Sequence, residues 1–207
     1  MTEEAAKRIT ACYVQYCEVI KPLIAQIEAY SEKFPLPLFN EIRAFNDHIA
    51  RCYYRNPSDS FIDEQIDKAS RHILRITLDC FKCLIVIMFE QIERFEQQTR
   101  NVDLTVIDNG TFYPEYARLK TDGAATVRRA KTLESYEIEN ALREYEKAYD
   151  IYDRIIKNIN TVKESVRWAR VRFTTRRILT LLAWVASVII SAIISALFTC
   201  ELFSQLL

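Results

Sequence analysis

Glycine is almost missing from this chain. Only Gly110 and Gly123 occur, so neither GxGxxG nor GxxxxGK can be written, and phosphate-cradling glycine loops are excluded. The five prolines all fall before residue 115. With so few breakers, the chain is expected to be almost wholly helical. Histidine is limited to His48 and His72. Charge of one sign is also lacking, with 28 basic and 28 acidic residues, so net charge selects no partner. The first twenty residues lack an apolar signal-peptide core, because Glu3, Glu4, Lys7, Arg8 and Glu18 interrupt them.

Cysteine is present six times, at 12, 17, 52, 80, 83 and 200, without a disulfide-framework spacing. Free, mostly buried thiols are expected. Cys80 and Cys83 make a lone CxxC, and a zinc site would need two further ligands. No metal and no cofactor is expected. The Asn109-Gly110-Thr111 sequon would face the wrong compartment for glycosylation. No nucleophile is paired with a base, so the chain is not expected to be an enzyme.

What the chain does have is a charge-free run from Ile178 to Cys200. At 1.5 Å per residue it would make about 34 Å of helix, enough for a hydrocarbon core of about 30 Å. Arg167, Arg170, Arg172, Arg176 and Arg177 precede it and only Glu201 follows. The positive-inside rule then puts the N-terminal part in the cytoplasm. Trp168 and Trp184 flank the entry point, where amphipathic rings favour the interface. A single-pass protein anchored by its tail is expected, with the bacterial inner membrane as its location.

Helical periodicity organises the rest. Ile9, Cys12, Tyr16, Val19, Leu23, Ile27 and Tyr30 share one face of a first helix, which Pro22 should kink. A second helix is expected over 38–55, with Leu38, Ile42, Phe45, Ile49 and Tyr53 inward. A third starts at Ser60, where Ser60 and Asp63 fit a loose capping box. Its stripe runs Ile62, Ile66, Ala69, Ile73, Ile76, Cys80, Cys83, Ile87, and the all-round apolar run 83–89 should be its most buried turn. Residues 101–112 read as a loop, and a short helix from Pro114 should end near Gly123.

Beyond Gly123 nothing breaks a helix. Ile138, Leu142, Tyr145, Tyr149, Tyr152, Ile156 and Ile159 alternate steps of four and three, the spacing of a coiled-coil seam. The phase then slips by one residue to Val162, Val166, Ala169 and Phe173. A single rod from Ala124 to Cys200 would be about 115 Å long. The fold expected is all-α. Its parts are a cytoplasmic helical bundle (1–123), a heptad helix with a basic collar (124–177), one transmembrane helix (178–200) and a short tail (201–207).

Three groups of residues are candidate sites. Ala183, Ser187, Ser191, Ser195 and Thr199 recur every four residues inside the span. Small side chains at that spacing let helices approach closely, so the row reads as an oligomer seam or a pore lining. Serines bonding the carbonyl four residues back are the plain alternative. The five collar arginines read as contacts to lipid headgroups, or as a ring of positive charge at a pore mouth. Arg118, Lys120, Arg128, Arg129 and Lys131, with Tyr113 and Tyr116 nearby, could hold the phosphates of a polyanion, or form a solvated surface.

The order of bundle, heptad helix, basic collar and single span resembles two plans. One is the syntaxin-like SNARE, although the seam here has no central glutamine or arginine. The other is the single-span effector of bacterial anti-phage defence, such as the Hailong-type membrane effector. The residues that would carry that second resemblance are the 183–199 row and the two basic clusters. It implies an antiviral membrane effector or ion channel, homo-oligomeric (a tetramer for instance), in contact with membrane lipid. It also implies a nucleotide or oligonucleotide regulator acting on the helical domain. The alternative function is a tail-anchored coiled-coil tether or fusion adaptor.

Overall fold

The computed structural model describes residues 1–31 and 35–204, and the side chains of these apart from 172, 173 and 196–204. Every regular element among the described residues is helical. The order is α1 (Glu3–Gln15), a π-helical turn (Tyr16–Ile20), α2 (Lys21–Tyr30), α3 (Leu36–Arg51), α4 (Asp59–Thr99), a 3-10 segment (Leu104–Gly110), α5 (Phe112–Leu133) and α6 (Ile138–Ser204).

Local chemistry accounts for the breaks. The π turn falls just before Pro22, whose ring nitrogen cannot donate to the carbonyl of Glu18. The Lys21 N–H reaches back five residues to Tyr16 instead, and the helix widens rather than ending. The second helix stops at Arg51, earlier than its pattern suggests. The Cys52 and Tyr53 N–H groups bond three residues back, and Arg55 and Asn56 take left-handed φ of 58° and 49°. Tyr53 is therefore exposed rather than on the buried face. At the start of α4 the capping oxygen is Ser58 Oγ, which accepts from the Phe61 N–H at 3.4 Å, and not Ser60. Asp108, Asn109 and Gly110 are left-handed in succession, the residue types that tolerate that region.

The chain divides into two compact units. The first comprises 1–95 and 115–159, the second 96–114 and 160–207. In the first, Ile20, Ile27, Leu38, Phe45, Ile66, Ile73, Ile76 and Leu84 are fully buried and form the core of α1 to α4. Tyr13 meets Phe45 edge-on at 5.2 Å. Arg8 forks onto Asp63 and Asp67, tying α1 to α4. Val86 (58% exposed) and Phe89 lie on the surface, so the all-round apolar turn of α4 is buried on one side only. In the second unit Ile107, Val162, Val166 and Ala169 are buried. Arg170 Nη2 donates to the Gln98 carbonyl at 2.7 Å, satisfying one of the open acceptors at the end of α4.

Two features of the last helices correct the sequence reading. First, α5 does not end at Gly123. It passes through it, because a Cβ there would already meet Tyr152 at 3.1 Å and glycine permits that close approach of α6. Second, the rod breaks at 134–137, so α6 starts at Ile138 and not at residue 124. Glu134, the first residue past α5, meets both α4 and α6. Lys82 Nζ donates to its Oε1 at 2.7 Å, and the Tyr145 hydroxyl to its Oε2 at 3.0 Å.

The seam of α6 also has a different phase. Its most buried positions are Ala141, Tyr145, Ala148, Tyr152, Ile155, Ile159, Val162, Val166 and Ala169, in uninterrupted steps of four and three. No slip is present. Ile138, Leu142 and Tyr149 are only half-buried beside this line. The alanines let α6 pack closely where the tyrosines need room. Ile155→Ala should therefore cost about 2–4 kcal/mol, and Ala148→Leu about 1–3 kcal/mol through overpacking. Leu142→Ala should cost less than either. Denaturant unfolding of the three variants checks the phase.

Candidate functional site

Every described residue of α6 from Thr174 to Ser195 is exposed, including all of 178–195. This is the one described helix long and apolar enough to cross a membrane. Nothing among the described residues covers it, in contrast to the seam residues of the same helix. Ala183, Ser187, Ser191 and Ser195 fall on one side, since a step of four residues turns only about 40°. The Ser187 hydroxyl donates to the Trp184 carbonyl at 2.8 Å, so one hydroxyl of the row is engaged with its own helix. Thr180 does the same with Arg176. Thr199 lies outside the described side chains.

The collar is more varied than its sequence suggests. Arg167, Arg176 and Arg177 are exposed. Arg170 is exposed but spends a guanidinium N–H on Gln98. Arg172 lies outside the described side chains. Thr174 and Thr175 donate to carbonyls four residues back, which lets polar groups sit here without needing water.

The third group is not brought together. All five residues lie on α5, where each step turns about 100°. Relative to Arg118, Arg129 lies about 20° round the helix, Lys120 about 200°, Lys131 about 220° and Arg128 about 280°. Lys120 and Lys131 face away from Arg118 and Arg129, and Arg128 points between the two pairs. Arg118 is paired with Asp122 at 3.2 Å, and Arg129 with Glu144 at 3.1 Å. One patch was expected because a break at Gly123 was to part a short helix from the start of a rod, which left the angle between their side chains open, whereas α5 is continuous and fixes it. Of the neighbouring tyrosines, Tyr113 is exposed, whereas Tyr116 is buried beside Phe95.

No group of three or more metal-ligating side chains exists among the described residues. Burial pushes the Cys80 thiol up to about 12, and it raises Cys83 as well, so neither is a ready thiolate. No family model matches the chain, and no curated protein or solved structure is significantly similar to it. The site must therefore be read from its own chemistry.

Two polar arrangements escaped the sequence reading. The His48 and His72 rings stack at 5.2 Å, with His48 Nδ1 2.8 Å from Gln65 Oε1 and His72 Nδ1 2.7 Å from Glu41 Oε2. Their separation in sequence gives no hint of it. The other is the Lys82–Glu134–Tyr145 network. Burial pushes the Glu134 carboxyl up, but hydrogen bonds from Lys82 and Tyr145 outweigh it, and the net shift is down. For Lys82, burial pulls down while Glu134 and Asp79 outweigh it, and the net shift is up. Tyr145 is raised by burial and by its bond to Glu134.

The signs define a pH window. A depressed carboxyl stabilises fully above the ordinary Glu range near about 4.3 and loses that as pH falls through its folded value. A raised lysine stabilises fully below about 10.4 and loses that as pH climbs past it. Glu134→Gln should therefore lower stability by about 1 kcal/mol between pH 5 and 9, since both charges are one-third exposed. It should also flatten the acid side of the profile. Thermal unfolding midpoints at pH 3.5, 7 and 9 measure this.

Proposed function

We propose that this protein is a single-span, homo-oligomeric membrane effector or channel, with its helical domain in the cytoplasm and open to regulation there. The observation that carries the reading is the exposed apolar segment of α6. Eighteen consecutive residues, 178–195, are without cover, and one side of them is lined by alanine and serine. In water such a surface is untenable, while in lipid it is the ordinary state of a spanning helix. Among lipids, association rests on close packing, which small residues allow. The arginines before the segment argue for a cytoplasmic helical domain.

A tether acting through its heptads fits less well. The seam of α6 is already occupied within the chain, with Tyr145, Ala148 and Ile155 all buried. A partner helix would have to displace that packing first. The basic residues of α5 diverge around the helix, so they do not form one polyanion-binding face.

Reconstitution into liposomes tests the proposal. Wild-type protein should run as an oligomer in detergent and release entrapped ions. Ser187→Leu and Ser191→Leu should reduce both, by an order of magnitude in flux, because a bulky side chain separates the backbones. Unchanged oligomer mass and flux in both variants would contradict it.

A further inference from the structure

Between α5 and α6 lies a hollow of about 480 Å³, bordered by Asp122, Thr126, Arg129, Lys147, Asp150 and Ile151. At its edge one carboxylate is gripped by two cations. Arg129 Nε donates to Glu144 Oε2 at 3.1 Å, and Lys147 Nζ to Glu144 Oε1 at 2.5 Å. Arg129 Nη2 also donates to the Thr126 hydroxyl at 3.0 Å, and that hydroxyl donates to the Asp122 carbonyl, so the guanidinium plane is fixed. The hydrogen bond from Lys147, followed by that from Arg129, holds the Glu144 carboxyl below its usual range. Glu144 is largely buried, at 14% exposure, whereas Arg129 and Lys147 are 61% and 64% exposed. The cations can therefore reach a second anion from solvent. Arginine and lysine converging on one oxyanion is the arrangement a phosphate needs.

The rest of the rim limits the ligand. Asp122 and Asp150 face the same hollow, and Asp122 is only partly offset by Arg118. An extended phosphate backbone would run into both. A compact molecule with one phosphorylated end and hydrogen-bond donors at the other would meet cations at one side and carboxylates at the other. The volume suits a ligand of nucleotide size. We propose that Arg129 and Lys147 form a binding site for a small phosphate-bearing ligand of mononucleotide size, and that Glu144 occupies the anion position until the ligand displaces it. As a regulatory site it rests on the function proposed above, because Glu144 and Lys147 lie on the helix that carries the apolar segment.

The full chain in detergent is titrated calorimetrically at low salt with AMP, ATP, inorganic pyrophosphate, adenosine and a single-stranded oligonucleotide. AMP and ATP should bind saturably, pyrophosphate more weakly, and adenosine not at all. Arg129→Ala and Lys147→Ala should each weaken binding about tenfold or more, the loss expected for one charge-assisted hydrogen bond. Glu144→Gln should tighten it several-fold by removing the rival charge, with circular dichroism confirming the helical content. Arg128→Ala, on another side of α5, should leave it unchanged.

Absence of saturable binding by AMP, ATP and pyrophosphate would overturn the proposal. So would binding indifferent to Arg129→Ala and Lys147→Ala, an unchanged affinity in Glu144→Gln, or an oligonucleotide that outcompetes ATP. Binding without any effect on liposome flux would support the site and count against regulation through it, while loss of flux and oligomer mass in the unliganded wild type would count against the function alone.

Discussion

The burial of one face of α6 by its own chain is the constraint from which the other features follow. Nine positions from Ala141 to Ala169 keep a strict alternation of four and three, and each is buried. A straight helix drifts about 20° per heptad against such a line, so the packing partners must turn with it. Small alanines at 141 and 148 bring the helix close enough for Tyr145 to reach Glu134 and for Tyr152 to lie on Gly123. Glu134, next to the end of α5, meets both Lys82 and Tyr145 there.

A single helix thus carries two apolar surfaces with opposite fates. The seam of α6 is consumed internally. The segment from Ile178 to Ser195 is offered outward. Hydrophobic burial explains the first at roughly 25 cal/mol per Å². The second gains no such cover among the described residues, and in the proposed reading lipid and copies of the same helix supply it. Between them the arginine-rich stretch changes character residue by residue, with Arg170 closing the end of α4 and Arg176 and Arg177 exposed.

Much of this was legible from residue types, and the failures have physical causes. Two glycines and early prolines gave an all-helical chain, and uncharged length picked out the exposed segment. The stripe of α4 from Ile62 to Cys80 was read correctly because isoleucine spacing is a strong signal. The seam was misphased because alanine is a weak apolar marker. Ala141 and Ala148 were passed over in favour of Leu142 and Tyr149, and a slip was then needed to reach Val162. Val86 and Phe89 were misjudged because composition alone does not say which side of an apolar turn has neighbours. The basic residues of α5 were grouped by nearness in sequence, yet a helix sends Lys120 and Arg129 to opposite sides. The cations that do converge, on Glu144, are Arg129 and Lys147, eighteen positions apart, and only the packing of α5 on α6 reveals it.

The central claim is that the outward surface of α6 is where copies of this protein meet in the membrane, along the row of small residues. Single cysteines placed by Ser187→Cys and Ser191→Cys, compared with Ile189→Cys and Ile193→Cys, test it most directly. The first pair lies on the small-residue side and the second about half a turn away. Oxidation in native membranes should cross-link the first pair into dimers rapidly and the second pair barely. Equal cross-linking at all four positions, or none at 187 and 191, would contradict the account.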